Sequence, residues 1–171
     1  MKPISLHDKH VIETFLRKNV YLHIYSLGDL DDFFWPYTTW YGGEAADGQG
    51  LSALVLLYAG QSLPAVLALS EQGPAMQELL RSLTNVLPAR FYAHLSSGLE
   101  AVLTENYRLE PHGAHYKMGL GDRTRLQQWD GLDFAEIVRL GRADLDDVRE
   151  LYRESYPENC FDPPQFTTRH S

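Results

Sequence analysis

Only one cysteine, Cys160, occurs in 171 residues, so no intrachain disulfide can form. Cations are scarce as well: 15 Lys and Arg stand against 23 Asp and Glu, for a formal net charge of -8. Binding along a phosphate backbone needs clustered Lys and Arg to displace counterions, so nucleic acid is not an expected partner. No long apolar run exists. The stretch LSALVLLYAG is the longest, well short of the roughly 20 residues that span a bilayer, and no membrane role is expected. The opening MKPISLHDKHVIETFL carries charges throughout and lacks the apolar centre of a secretory signal, which makes a cytoplasmic location the expectation. There is no internal repeat of 20 to 50 residues and no low-complexity tract.

What is present is an ordinary globular composition, 44% hydrophobic and 22% charged. In LHDKHVIETFLRK the apolar Leu6, Val11, Phe15 and Leu16 follow Ser5, which predicts a capped amphipathic helix. A second helical turn or two in VYLHIYSLGDL ends at Gly28, and Pro36 stops any helix beyond it. TTWYGGEA, LSALVLLYAG and PAVLALSE read as three strands joined by Gly-, Asp- and Gln-containing turns, an antiparallel meander. GPAMQELLRSLTNVLP places Met76, Leu79, Leu80, Leu83 and Leu87 on one helical face, with Pro74 in the first turn, where its missing N–H costs nothing. A strand in RFYAHLS, a short helix in SGLEAVLTEN and closing strands in YRLEP and AHYKMGL complete the pattern. The predicted fold class is α+β, one mixed, mainly antiparallel sheet flanked by helices. The first domain is expected to end near Leu120. The polar residues 121–136 then read as a linker, and IVRLGRADLDDVRELYRES as a strand and a helix capped by Asp144 with Asp147 three places on.

Candidate chemistry is sparse. Asp29, Asp31 and Asp32 are oxygen ligands of the kind a hard cation takes, but the pattern of a calcium loop is missing, and a solvated helix end is the expectation. His112 and His115, three apart on a strand, would face opposite ways and not chelate together. His94 reads as a structural histidine. Ser96 and Ser97 read as caps of the following helix, since no G-x-S-x-G elbow surrounds them. Cys160 has no assignable cationic neighbour and reads as an inert thiol. The aromatic cluster Phe33, Phe34, Trp35, Tyr37, Trp40 and Tyr41 would either line an apolar pocket or, as the favoured reading, pack as core. In LALSEQGPAMQELL a Gly-containing turn enters a helix, where free backbone amides can hold phosphate. Pro74 removes one of those donors and no Lys or Arg adjoins the turn, so a structural helix start is expected.

The order of elements resembles the GNAT superfamily of CoA-dependent N-acyltransferases. Residues from about 5 to 120 resemble the degenerate N-terminal half of a tandem GNAT protein. Residues 137–171, including YPENCFDPPQF, resemble the first strand and helices of its second half. The resemblance implies acetyl-CoA or another acyl-CoA as cofactor and a small amine as acceptor. The family's pyrophosphate turn corresponds to SEQGPA, which makes Gly73 and Ala75 the implied cofactor-binding residues, with Ser70 in place of the family's Arg or Gln. If Asn106 and Tyr107 stand for the family's Gly-Phe pair, the position of the Tyr that protonates the leaving thiolate holds Val102. No catalytic residue is thereby assigned. The implied partner is a C-terminal GNAT half, whose own pyrophosphate turn would lie past Ser171, or a second protomer. Three readings follow: a non-catalytic half that shapes a substrate pocket or interface; a CoA-binding acetyltransferase active as it stands, possibly as a dimer; and a small-ligand or protein-interaction module without CoA.

Overall fold

A computed structural model describes residues 2–122, 124–125 and 139–156. The chain divides into two compact units, Met1–Leu120 and Gly121–Ser171.

In the first unit the chain runs β1 (Ile4–Leu6), α1 (Lys9–Leu16), α2 (Ile24–Gly28), β2 (Thr38–Glu44), β3 (Leu51–Tyr58), β4 (Ala65–Ala68), α3 (Gly73–Leu83), β5 (Tyr92–Leu95) and α4 (Glu100–Thr104). The five strands form one sheet in sequence order. β1 to β4 pair antiparallel, whereas β4 and β5 pair parallel with Ala65 opposite Tyr92 and Ala68 opposite Leu95. The parallel step requires a crossover, which α3 supplies. The predicted mixed, mainly antiparallel sheet flanked by helices is thus present.

The sheet carries a core on each face, and the pleat of β3 shows why. Ala53 and Val55 join Val66, Ala68 and the α3 and α4 residues Met76, Leu79, Leu80, Leu83, Val102 and Leu103 on one side. Leu54 and Leu56 join Ile12, Leu16, Trp40 and Leu67 on the other. A strand buried on both faces needs an unbroken apolar run, which is what LSALVLLY is. Near its start the register slips between Gly43 and Glu44. There the Ser52 hydroxyl donates to the carbonyls of Gly43 and Glu44 at 3.1 Å, and Leu51 turns to the α1 face. Each fully buried Leu or Met contributes about 1.5–3 kcal/mol by leaving water.

Four sequence expectations are corrected. Ser5 does not cap α1; it lies in β1, and the Asp8 carboxylate accepts from the amides of His10 (2.8 Å) and Val11 (3.4 Å) instead. Ser96 and Ser97 do not cap α4, whose cap residue is Leu99 without a side-chain bond. YRLEP and AHYKMGL form no strands: residues 108–120 have no ladder partner, and Gly113, at φ 90°, takes a left-handed conformation that interrupts extended pairing. The helix predicted through Leu87 ends at Leu83, though Leu87 is still buried in the α3 face core.

In the second unit the described residues form a 3-10 turn, Arg142–Asp144, and α5 (Leu145–Ser155). Asp144 is the N-cap residue of α5, as expected, but its carboxylate accepts from the amide of Gly141 at 2.7 Å and bonds none of the first-turn amides. Arg149 pairs with Asp146 and Arg153 with Glu150 along the exposed surface, and Val148 is buried. The rest of the predicted second domain, including residues 157–166 of YPENCFDPPQF and Cys160, lies outside the described residues, as does most of the linker 121–136. Among the described residues no helix is long and apolar enough to cross a membrane.

Candidate functional site

In open sheets with parallel strands, ligands bind beyond the carboxyl ends of those strands. In this chain that place is the end of β4, where Leu69–Gln72 leads into α3. Gly73 and Ala75 stand in the first turn of that helix, as placed from sequence, with Pro74 between them. Two of the amides before the helix are engaged, whereas no side chain caps the first-turn amides of α3. The N–H of Ser70 donates to the Ser96 hydroxyl at 2.9 Å, and the N–H of Gln72 to the Ser70 hydroxyl at 2.9 Å. Pro74 has no N–H. The amide of Ser96 donates to the carbonyl of Ala68 at 3.1 Å, which ties the two strand ends together. Gly73 is not a glycine of necessity: its φ is not positive, and a Cβ built on it meets nothing within 4 Å. The exposed Glu71 adds a negative charge beside the turn. The missing Pro74 amide and the Glu71 carboxylate weaken the turn as a place for a CoA pyrophosphate.

On α4 the position that the GNAT resemblance reserves for a tyrosine holds Val102, which is 2% exposed within the core. The nearby phenol, Tyr107, donates to the carbonyl of Thr84 at 2.9 Å and meets the ring of Phe91 edge-on at 5.0 Å. It fastens the end of α3 to the stretch after α4, so its proton is already committed.

Beside the same β4 end, on the α1 face, lies a recess of about 130 Å³. Its apolar wall is Phe15, Leu22, Leu51 and Leu69, and its polar groups include Lys18, His23, Glu71 and Gln72. That volume is below the roughly 300 Å³ of a typical organic ligand pocket and suits only a group of a few heavy atoms. Two bonds place its histidine: Asn19 Oδ1 accepts from the amide of Leu22 at 3.1 Å, and the amide of His23 donates to the carbonyl of Asn19 at 3.1 Å. His23 is 6% exposed and its ring tilts against Phe15 at 5.9 Å. Burial lowers its pKa below the ordinary 6.5; Lys117 lowers it further and Glu71 acts in the opposite sense. A neutral imidazole at pH 7 can accept a proton. Sequence reasoning missed this residue. The one signal was its place in YLHIY, a polar group among apolar neighbours just before a helix.

The other sequence candidates do not converge. The three aspartates go separate ways: Asp31 accepts from the amide of Phe33 at 2.8 Å, and Asp32 pairs with Lys9. Asp29 is not a solvated end, since burial raises its pKa from 3.8 to about 6. The aromatic cluster divides: Trp40 is 1% exposed and stacked on Trp35 at 6.4 Å, Tyr41 packs against the core on the other face, and Tyr37 is exposed. His94 is on the edge strand β5, and His112 meets the ring of Tyr92 at 5.9 Å. Among the described residues no group of three or more His, Cys, Asp or Glu is arranged to hold a metal ion.

No family model and no curated protein matches the chain. A solved structure, that of a probable acetyltransferase, is similar over 71% of this chain and 99% of its own, at 12% identity and a TM-score of 0.45.

Proposed function

We propose that this chain carries the non-catalytic N-terminal half of a GNAT-type N-acyltransferase, one that shapes the recess for a small amine while a C-terminal half or a second protomer holds the acyl-CoA. The element order supports the reading: two leading helices, an antiparallel meander, a crossover helix and a parallel fifth strand follow the order of the GNAT resemblance. One observation carries the non-catalytic part. The Ser70 and Gln72 amides at the β4–α3 turn are taken by serine hydroxyls and Pro74 has none, so the turn offers a pyrophosphate fewer amides than an unbroken cradle would. The buried Val102 and the engaged Tyr107 hydroxyl agree, since neither can protonate a leaving thiolate. The role left to this half lies in the recess, where Glu71 and the neutral His23 could accept hydrogen bonds from an amine presented by the acceptor.

Calorimetric titration with acetyl-CoA tests this directly. The expected result is no saturable heat at micromolar chain and no acylation of added amines. Micromolar binding accompanied by turnover from this chain alone would overturn it.

A further inference from the structure

His23 lines the recess beside the end of β4 and is 6% exposed, yet neither nitrogen of its ring has a hydrogen-bond partner among the described residues. Among those residues no fully enclosed side-chain nitrogen or oxygen lacks a partner, so the His23 nitrogens open into the recess rather than into the core. A buried polar group of this kind is satisfied by whatever enters the space it faces. Its neighbours in the lining are uncommitted as well. Asn19 Oδ1 accepts from the amide of Leu22, but Asn19 Nδ2 and the side-chain amide of Gln72 make no hydrogen bond among the described residues. At the rim stand two exposed charges of opposite sign, Lys18 just after α1 and Glu71 in the turn after β4. They pair neither with each other nor with another described ion, and Lys18 Nζ lies 5.3 Å from the centre of the Phe15 ring.

We propose that the recess receives the head group of a small α-amino acid, its amine on Glu71 and the His23 ring and its carboxylate on Lys18 with the side-chain amides of Asn19 and Gln72. The inference rests on the reading of the recess as an amine site and names the class of acceptor, a free amino acid rather than a plain amine. Charge decides between the two. A plain amine uses Glu71 but shares a small space with the like charge of Lys18, and a plain carboxylate meets Glu71 in the same way. A zwitterion answers both signs. It also suits a neutral imidazole, which has one nitrogen that donates and one that accepts. Size agrees with charge. About 130 Å³ takes a group of a few heavy atoms, as an amine, an α-carbon and a carboxylate are, and the apolar wall of Phe15 and Leu69 covers a small side chain. Because both charges at the rim are solvated, the affinity expected is millimolar.

Proton–carbon correlation spectra of the full chain at pH 7.5 test the proposal, with L-alanine, ethylamine and propionate as probes. L-Alanine should move the His23 ring signals and the Leu51 and Leu69 methyl signals saturably, with a millimolar midpoint. Ethylamine and propionate, each lacking one charge, should bind about tenfold more weakly. Lys18→Met should weaken L-alanine about fivefold without weakening ethylamine, and Glu71→Gln should weaken L-alanine and ethylamine but not propionate. Both positions are exposed, and dispersed Leu80 methyl signals from the α3 core report that each variant is folded. Ethylamine binding as tightly as L-alanine would overturn the inference and leave the amine reading standing. Propionate binding as tightly would overturn both, since the recess would then be an anion site. The absence of a saturable shift with L-alanine would overturn the inference, and the ethylamine titration then decides the amine reading by itself. L-Alanine binding that neither substitution weakens would also overturn it.

Discussion

Asp29→Asn should stabilise the protein, and only above a definite pH. Asp29 follows the last turn of α2, where its amide donates to the carbonyl of Tyr25 at 3.0 Å. Burial raises its pKa from 3.8 to about 6. The end of a helix, rich in unpaired carbonyls, is also an unfavourable place for a negative charge. Because the folded pKa is raised, the associated stability is fully present below the ordinary 3.8 and is lost as pH rises through about 6. At about 1.4 kcal/mol for each tenfold change, that span corresponds to at most about 3 kcal/mol at pH 7.5. Part of the carboxylate still meets solvent, and screening reduces the expected effect to about 1–2 kcal/mol. The amide of asparagine keeps the shape and removes the charge. Urea denaturation followed by tryptophan fluorescence, with Trp40 buried in the core, measures both proteins at pH 7.5, 6 and 4.5. The variant should be the more stable at pH 7.5, with the advantage falling to about a third of that value by pH 4.5. A difference that does not change with pH, or a variant less stable at pH 7.5, would refute the reasoning.

Tyr107→Phe removes the hydroxyl that donates to the Thr84 carbonyl while leaving the ring on Phe91. The loss should be about 0.5–1.5 kcal/mol, visible by calorimetry as a melting temperature lower by a few degrees; an unchanged melting temperature would mean that the bond contributes nothing. Ser96→Ala leaves the part-buried amide of Ser70 without its acceptor. It should cost about 1–3 kcal/mol by chemical denaturation. It should also create no acetyl-CoA affinity, because the Gln72 amide stays engaged and Pro74 still lacks one.

Where the sequence succeeded, the signal was local and repeated. Met76, Leu79, Leu80 and Leu83 share a helical face by spacing alone, and all four are fully buried in α3. The meander was equally plain, because three apolar runs separated by turn residues leave few other arrangements. Capping was less secure. Both Ser5 and Asp8 are good caps, and only the pairing of Ile4–Leu6 with β2 removed the first. The closing strands failed for a related reason. The alternation in AHYKMGL is real, with Tyr116 and Met118 on one side and Lys117 and Gly119 on the other, but a strand also needs an edge to pair with. In the structure the inner side rests on tyrosine rings instead.

The candidate turn divided in the same way. Pro74 announced a missing donor in the sequence, whereas the engagement of the Ser70 amide depends on Ser96, 26 residues away. The recess at His23 joins the α1–α2 connection, β3 and the end of β4, and no spacing rule links them. The antiparallel meander and the buried face of α3 were legible in the sequence, since both follow from local periodicity. Only the tertiary structure decided which amides remain free, which carboxylate is buried and which histidine sits in a recess. Those properties depend on the distance and dielectric surroundings that remote segments impose on one another, and a linear pattern does not encode either.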